Sequence, residues 1–208
     1  RSERARLFHL RGTALFRTRG DYEEAARVLL SAAHLGGATA FDDHLQAARA
    51  LARAGHRARA IDVYRAIARA HRGEASAWRA VLMRGQLELD AGRVRAARRT
   101  LAALADRPAG APEETVREAQ WLLGLSLFEQ GAAAEAERLF VAYAGNGDDA
   151  MVQGRGLYRA ARAVLVRGDR DRATVLLRRV AHDHPLHWYG LLARQRLAEQ
   201  ADAVGGGP

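Results

Sequence analysis

Few residues of this chain are equipped for chemistry, and most of those are arginine. All 33 basic residues are arginine and none is lysine, against 24 acidic residues, for a formal charge of +9. Arg155, Arg159 and Arg162 recur at i, i+4 and i+7, which places three guanidiniums on one stripe of a helix. A guanidinium offers planar donors to carboxylate or phosphate, so this stripe, with Arg49 and Arg53, is a candidate anion-binding ladder on a concave face. A solvated helix face is the competing reading. His182, His184 and His187 form the one histidine cluster, and neutral imidazoles ligate zinc or nickel. Yet His182 and His184 should diverge at a fraying helix end, where Pro185 redirects the chain. Attraction of histidine to a helix C-terminus explains them more simply. Asp42, Asp43 and His44 have no further carboxylate or histidine at a supporting position and read as helix-capping residues. Residues 145–149 lack the alternating oxygens and distal glutamate of a calcium loop. No metal and no cofactor are therefore expected. The serines, at positions 2, 31, 76 and 126, have no histidine neighbour, and there is no Gly-x-x-x-x-Gly-Lys phosphate loop. With zero cysteines, thiolate catalysis, disulfides and zinc-thiolate sites are excluded. No catalytic residue is assigned.

Elements that must carry these residues are set by five glycines. Gly20, Gly55, Gly92, Gly131 and Gly168 are spaced 35, 37, 39 and 37 residues apart, the period of a helical-hairpin solenoid. Residues 121–144 are the clearest copy: Trp121, Leu122, Leu125 and Phe128 precede the corner at helical spacing, and Ala136, Leu139, Phe140 and Tyr143 follow it. Five residues after each corner stands Ala25, Ala60, Ala97, Ala136 or Ala173, and four further on Leu29, Tyr64, Leu101, Phe140 or Leu177. Seven before stand the small residues Thr13, Ala48, Gly85, Gly124 and Ala161. This small–large–small pattern resembles the tetratricopeptide superfamily. The expected fold is all-α, a tetratricopeptide-like α-solenoid of about five helical hairpins plus a C-terminal capping helix. One repeat domain is expected over residues 1–200, with residues 201–208 as a flexible tail or the start of a linker.

Along the chain, residues 1–19 read as a helix with Leu7, Leu10, Leu15 and Phe16 inward. The abrupt charged start carries no apolar signal-peptide core and points to a fragment of a longer protein. Asp21, Tyr22, Glu23 and Glu24 suit a helix start. In the third hairpin, residues 75–106, Glu88 interrupts Leu87 and Leu89, either as a slip of helix phase or as a polar residue turned inward. Residues 106–112, with two of the four prolines, form the strongest loop signal; the repeat resumes in register after them, which favours an inter-repeat loop over a hinge. There is no apolar run of about 18 residues to span a membrane. The arginines are dispersed, and their exclusive use over lysine matches the codon bias of a GC-rich genome, which weighs against nucleic-acid binding.

After the last hairpin comes HWYGLLARQRLAEQ. Pro185, Tyr189, Gly190, Ala193 and Leu197 resemble the proline, aromatic-Tyr-Gly-x-x-Ala-x-x-x-Leu element that closes the superhelical region of soluble lytic murein transglycosylases. Physically the element can cap the last hairpin through Trp188, Tyr189, Leu192 and Leu197, with Gly190 permitting close approach. The resemblance implies a non-catalytic superhelical part of a periplasmic or cell-envelope peptidoglycan lyase, holding glycan strands or positioning a catalytic domain. That family's catalytic glutamate sits in a Glu-Ser motif, which this sequence lacks, so no residue here inherits the role. The alternative is a tetratricopeptide-like scaffold that binds a peptide or helix of a partner protein in its concave groove, in the cytoplasm if the envelope resemblance is set aside. Peptidoglycan and a protein segment are thus the two expected partners.

Overall fold

The computed structural model describes residues 2–18, 20–146 and 149–205. Among them every regular element is an α-helix, and the chain divides into two compact units. The first unit, Arg1–Leu104 with Pro108–Pro112, holds α1 (Ser2–Arg17), α2 (Tyr22–Leu35), α3 (Ala40–Arg53), α4 (Arg57–Ala70), α5 (Ala75–Asp90) and α6 (Val94–Ala105). The second, Ala105–Arg107 with Glu113–Pro208, holds α7 (Glu113–Glu129), α8 (Ala133–Gly145), α9 (Ala150–Val166), α10 (Arg170–Asp183) and α11 (Trp188–Gly205). The boundary falls at the proline-bearing loop. The tail expected from residue 201 begins inside α11, which runs on to Gly205; residues 206–208 lie outside the described residues.

Consecutive helices pair as hairpins at the glycine corners. Gly55, Gly92, Gly131 and Gly168 all have positive φ, from 70° to 86°, a backbone state in which a side chain is strained. Gly20 adjoins residue 19, outside the described residues. The five alanines that follow the corners, Ala25, Ala60, Ala97, Ala136 and Ala173, are all fully buried, and the large residues after them are at most 3% exposed. Small residues on the facing helix receive those large ones: a Cβ on Gly85 would sit 2.5 Å from Leu101 Cδ2, and one on Gly124 2.8 Å from Phe140 Cε1. In the first hairpin the receiving residue is Gly12, whose Cβ would lie 2.6 Å from Leu29 Cγ, rather than Thr13 as the spacing predicts. The connection from α1 to α2 is longer than that from α7 to α8, so the register shifts by one, and the Thr13 hydroxyl turns to Gln46 at 3.4 Å.

Other departures have equally local causes. Leu7 and Leu10, expected inward, are 61% and 55% exposed, because α1 packs on α2 and α3 through its opposite face. In α7, Leu123 and Leu127 are buried while Leu122, Leu125 and Phe128 are only half-buried, so the stripe from Leu122 to Phe128 faces outward from the hairpin seam. Glu88 is the inward polar residue of the two readings: it is buried, accepts from Arg84 Nε at 2.8 Å and from Thr100 Oγ1 at 2.7 Å. A buried carboxylate costs stability unless its oxygens are met in this way. Asp21 caps α2 by accepting from the Glu24 amide at 2.9 Å.

Candidate functional site

The α9 stripe lies beside α7. Arg155 places its guanidinium carbon 3.4 Å from the centre of the Trp121 ring and 5.9 Å from that of Tyr143. Arg159 lies 5.8 Å from the Trp121 ring centre, and Arg162 lies 5.7 Å from that of Phe128. Trp121 itself is held from below by Phe140 and Tyr143 of α8, at ring separations of 5.6 and 5.1 Å. Aromatic faces attract cations, by about 0.5 to 2 kcal/mol depending on desolvation. The three arginines are half-buried, and none of them forms an ion pair with a carboxylate of the described residues. Burial, with the charges of Arg162 and Arg155 alongside, pulls the Arg159 guanidinium below its usual range. Burial likewise pushes the Tyr143 phenol up, opposed by Arg155 and reinforced by the charge of Glu118.

Elsewhere the half-buried Arg117 donates to the Asn146 carbonyl, and two buried carboxylates hold guanidiniums. Arg84 is paired with Glu88, and the buried Glu137 of α8 accepts from Arg167 at 2.8 Å and from Arg172 at 2.6 Å. Of the buried carboxylates, sequence reasoning weighed Glu88 as a polar residue turned inward, passed over Glu137 and misassigned Asp43. Asp43, expected as a helix cap, is instead fully buried and accepts from His9 Nδ1 at 2.7 Å and Thr39 Oγ1 at 2.9 Å, tying α1 to α3. Its partner lies 34 residues away, beyond any local pattern.

Arg49 and Arg53 belong to the first unit and are exposed. Arg53 stands 4.5 Å from the ring centre of Phe16 and 5.5 Å from that of Tyr22, and Arg49 stands 5.7 Å from Phe16. Beside them is a recess of about 180 Å³ lined by Arg49, Arg53, Tyr64, Met83, Gln86 and Asp90, among others. Two positions recur at a fixed distance from the corner in four of the first helices. Nine and six residues before the corner glycine stand Gln46 and Arg49 in α3, Met83 and Gln86 in α5, Leu122 and Leu125 in α7, and Arg159 and Arg162 in α9. None of these eight is buried.

The C-terminal helix α11 packs on α10 and α9. Tyr189, Leu192 and Leu197 rest against the buried cluster of Ala144, Leu157, Tyr158, Ala161, Leu177, Val180 and Ala193. A Cβ on Gly190 would overlap the His184 carbonyl oxygen, so that close approach admits only glycine. Arg194 donates to the Pro185 carbonyl at 2.6 Å. Trp188, expected to help seal the hairpin, is 62% exposed, since Tyr189 and Ala193 already occupy the inward side of α11. His182 is exposed beside Asp183 while His184 is buried, so the two diverge as their spacing predicts. Among the described residues no group of three or more histidines, aspartates or glutamates converges as a metal site would require. Of the would-be calcium loop, residues 147 and 148 lie outside the described residues, and Asn146 spends its side chain on Gln120 and Arg107.

No family model matches the chain, and no curated protein matches it. Solved structures do. A MamA double mutant is 20% identical with a TM-score of 0.64, covering 87% of this chain and 94% of that one. A tetratricopeptide repeat protein from Parabacteroides merdae ATCC 43184 is 16% identical with a TM-score of 0.66, covering 94% of this chain and 73% of its own. The nearly identical tetratricopeptide-like repeats of a kinesin light chain from Podosopora anserina are 16% identical with a TM-score of 0.63, covering 86% of this chain and 95% of their own. At such identities the likeness shows the fold, a tetratricopeptide-like helical repeat, and nothing of the ligand. No helix among the described residues is long and apolar enough to cross a membrane.

Proposed function

We propose that this chain is a tetratricopeptide-like interaction module that binds a peptide or helix of another protein against the open side of its first helices. One contrast within the repeat carries the reading. Seam positions hold the same kinds of residue in every hairpin, alanine and then a large side chain, and are buried throughout. Facing positions nine and six before the corners hold glutamine, methionine, leucine and arginine by turns, and stay accessible. Packing explains the first set; the second, although Met83 leans on the core and Gln46, Arg159 and Arg162 touch neighbouring side chains, varies from hairpin to hairpin and keeps surface that can serve recognition. Selection of binding peptides from a displayed library, followed by hydrogen exchange on the complex, tests the proposal. Protection on α3 and α5 or on α7 and α9 supports it, and protection confined to the second helices, or no binder at all, overturns it.

The C-terminal element favours a second reading, a superhelical part of a lytic transglycosylase-like envelope protein. What supports it is Gly190 pressed on the His184 carbonyl with Tyr189, Ala193 and Leu197 seated inward. Binding to purified sacculi tests it, together with whether the reading frame past Pro208 encodes a domain carrying a Glu-Ser motif.

A further inference from the structure

We propose that Arg155, Arg159 and Arg162 form a site for an acidic segment of a partner protein, with Trp121 and Phe128 as its floor. This rests on the interaction-module reading and gives the ligand its chemistry.

Three guanidiniums held half-buried on one helix stripe repel one another, and among the described residues no carboxylate forms an ion pair with them. It supplies carboxylates readily elsewhere: Glu88 meets Arg84, and Glu137 meets both Arg167 and Arg172. Folding alone would favour an acid or an apolar residue at these positions, as at Leu122 and Leu125, the repeat equivalents of Arg159 and Arg162. What completes the site electrostatically is a ligand that brings negative charge. Contact with a ring face uses no N–H donor; Arg155 gives one donor to the Tyr143 hydroxyl at 3.5 Å, and its remaining donors, with those of Arg159 and Arg162, can meet carboxylate. Along the helix Arg155 and Arg159 are separated by about 6 Å, and Arg155 and Arg162 by about 10 Å, from a rise of 1.5 Å per residue. Carboxylates at alternate positions of an extended peptide, about 6.6 Å apart on one side, match the first spacing. Arg49 and Arg53 differ: they are exposed, and Asp90 lines the same recess.

The test is titration of the whole chain with a short peptide carrying glutamate at alternate positions among leucines, beside its glutamine counterpart, a single-stranded DNA and inorganic phosphate. At low salt the acidic peptide should bind at least tenfold tighter than the glutamine peptide, and the preference should shrink as salt rises. Arg155→Gln with Arg159→Gln should remove the preference. Arg57→Gln with Arg59→Gln, which lowers the net charge equally at exposed positions of α4, should keep it. Circular dichroism establishes that both variants fold; if the stripe variant does not, Arg162→Gln alone should cut the preference severalfold. Equal binding of the two peptides, or loss of preference in the α4 variant, overturns the acidic ligand while leaving the interaction module standing. Binding of DNA or phosphate in place of the peptide, with the same dependence on the stripe, overturns it in favour of phosphate. Binding of neither peptide overturns it, and only failure of the library selection as well removes the interaction module.

Discussion

The same substitution, glycine to alanine, should destabilise the α7–α8 hairpin at two positions for unrelated reasons. Gly131 sits at the corner with φ 78°, and nothing lies within 4 Å of where a Cβ would stand. Its replacement therefore costs only left-handed backbone strain, about 1 to 2 kcal/mol. Gly124 lies inside α7, where alanine would gain about 1 kcal/mol in helix propensity. Its Cβ would, however, stand 2.8 Å from Phe140 Cε1, 3.1 Å from Cδ1 and 3.3 Å from Cζ, within a ring that is fully buried and has no room to retreat. Overpacking of this kind costs about 1 to 3 kcal/mol, so the net loss should be up to about 2 kcal/mol. The two mechanisms separate in a Phe140→Leu background, which removes the ring edge. There Gly124→Ala should become neutral or stabilising, a coupling of about 1 kcal/mol or more, while Gly131→Ala should cost what it did before. Urea unfolding followed by Trp121 fluorescence, with Trp78 and Trp188 replaced by phenylalanine, reads the hairpin directly. A neutral Gly131→Ala, or a Gly124→Ala cost unchanged by Phe140→Leu, would refute the packing argument.

Other expectations follow from groups with named partners. Glu88→Ala strands Arg84 and Thr100 and should cost about 2 to 3 kcal/mol in urea unfolding; Thr100→Val made in the same chain should add less than it does alone. Glu137→Ala should lower thermal stability, and the loss should be smaller once Arg167 and Arg172 are both glutamine. Gly190→Ala should disrupt the seat of α11, raising hydrogen exchange there while leaving the first unit protected. Burial pushes the Tyr64 phenol up to about 12 from its ordinary 10.0, although Arg49 and Arg79 pull against it. An unfolded chain then releases this proton before the folded one does, so stability should fall as pH rises from about 10 toward about 12. In Tyr64→Phe that part of the slope should vanish, and an unchanged slope would remove the assignment.

What the sequence revealed and what it hid divide along a physical line. Positions whose role depends on one neighbouring helix were readable from spacing: the alanines from Ala25 to Ala173 and the large residues from Leu29 to Leu177 all went to the seam. Register failed where a connection changed length, so Gly12 took the place expected of Thr13. Periodicity also cannot tell which apolar stripe meets a neighbour, hence Leu7, Leu10 and Trp188 on the outside and Leu123 and Leu127 within. Buried carboxylates were the least visible, because Asp43 and Glu137 are stabilised by partners some 30 or more residues away. The arginine stripe on α9 was plain from its spacing, but not its stacking on Trp121 and Phe128, which requires the turn of one hairpin onto the next.

The division between seam and facing positions also bears on how such a chain can change. An alanine pressed fully into its neighbour tolerates almost no exchange, whereas the residues nine and six before the corners, only partly covered, can be traded at smaller cost to the packing. If the interaction-module reading holds, ligand preference would drift faster in this architecture than the seam that holds it together. Transplanting an α9 residue into α5 at the exposed position, as Gln86→Arg, would change that surface while leaving Met83 on the core.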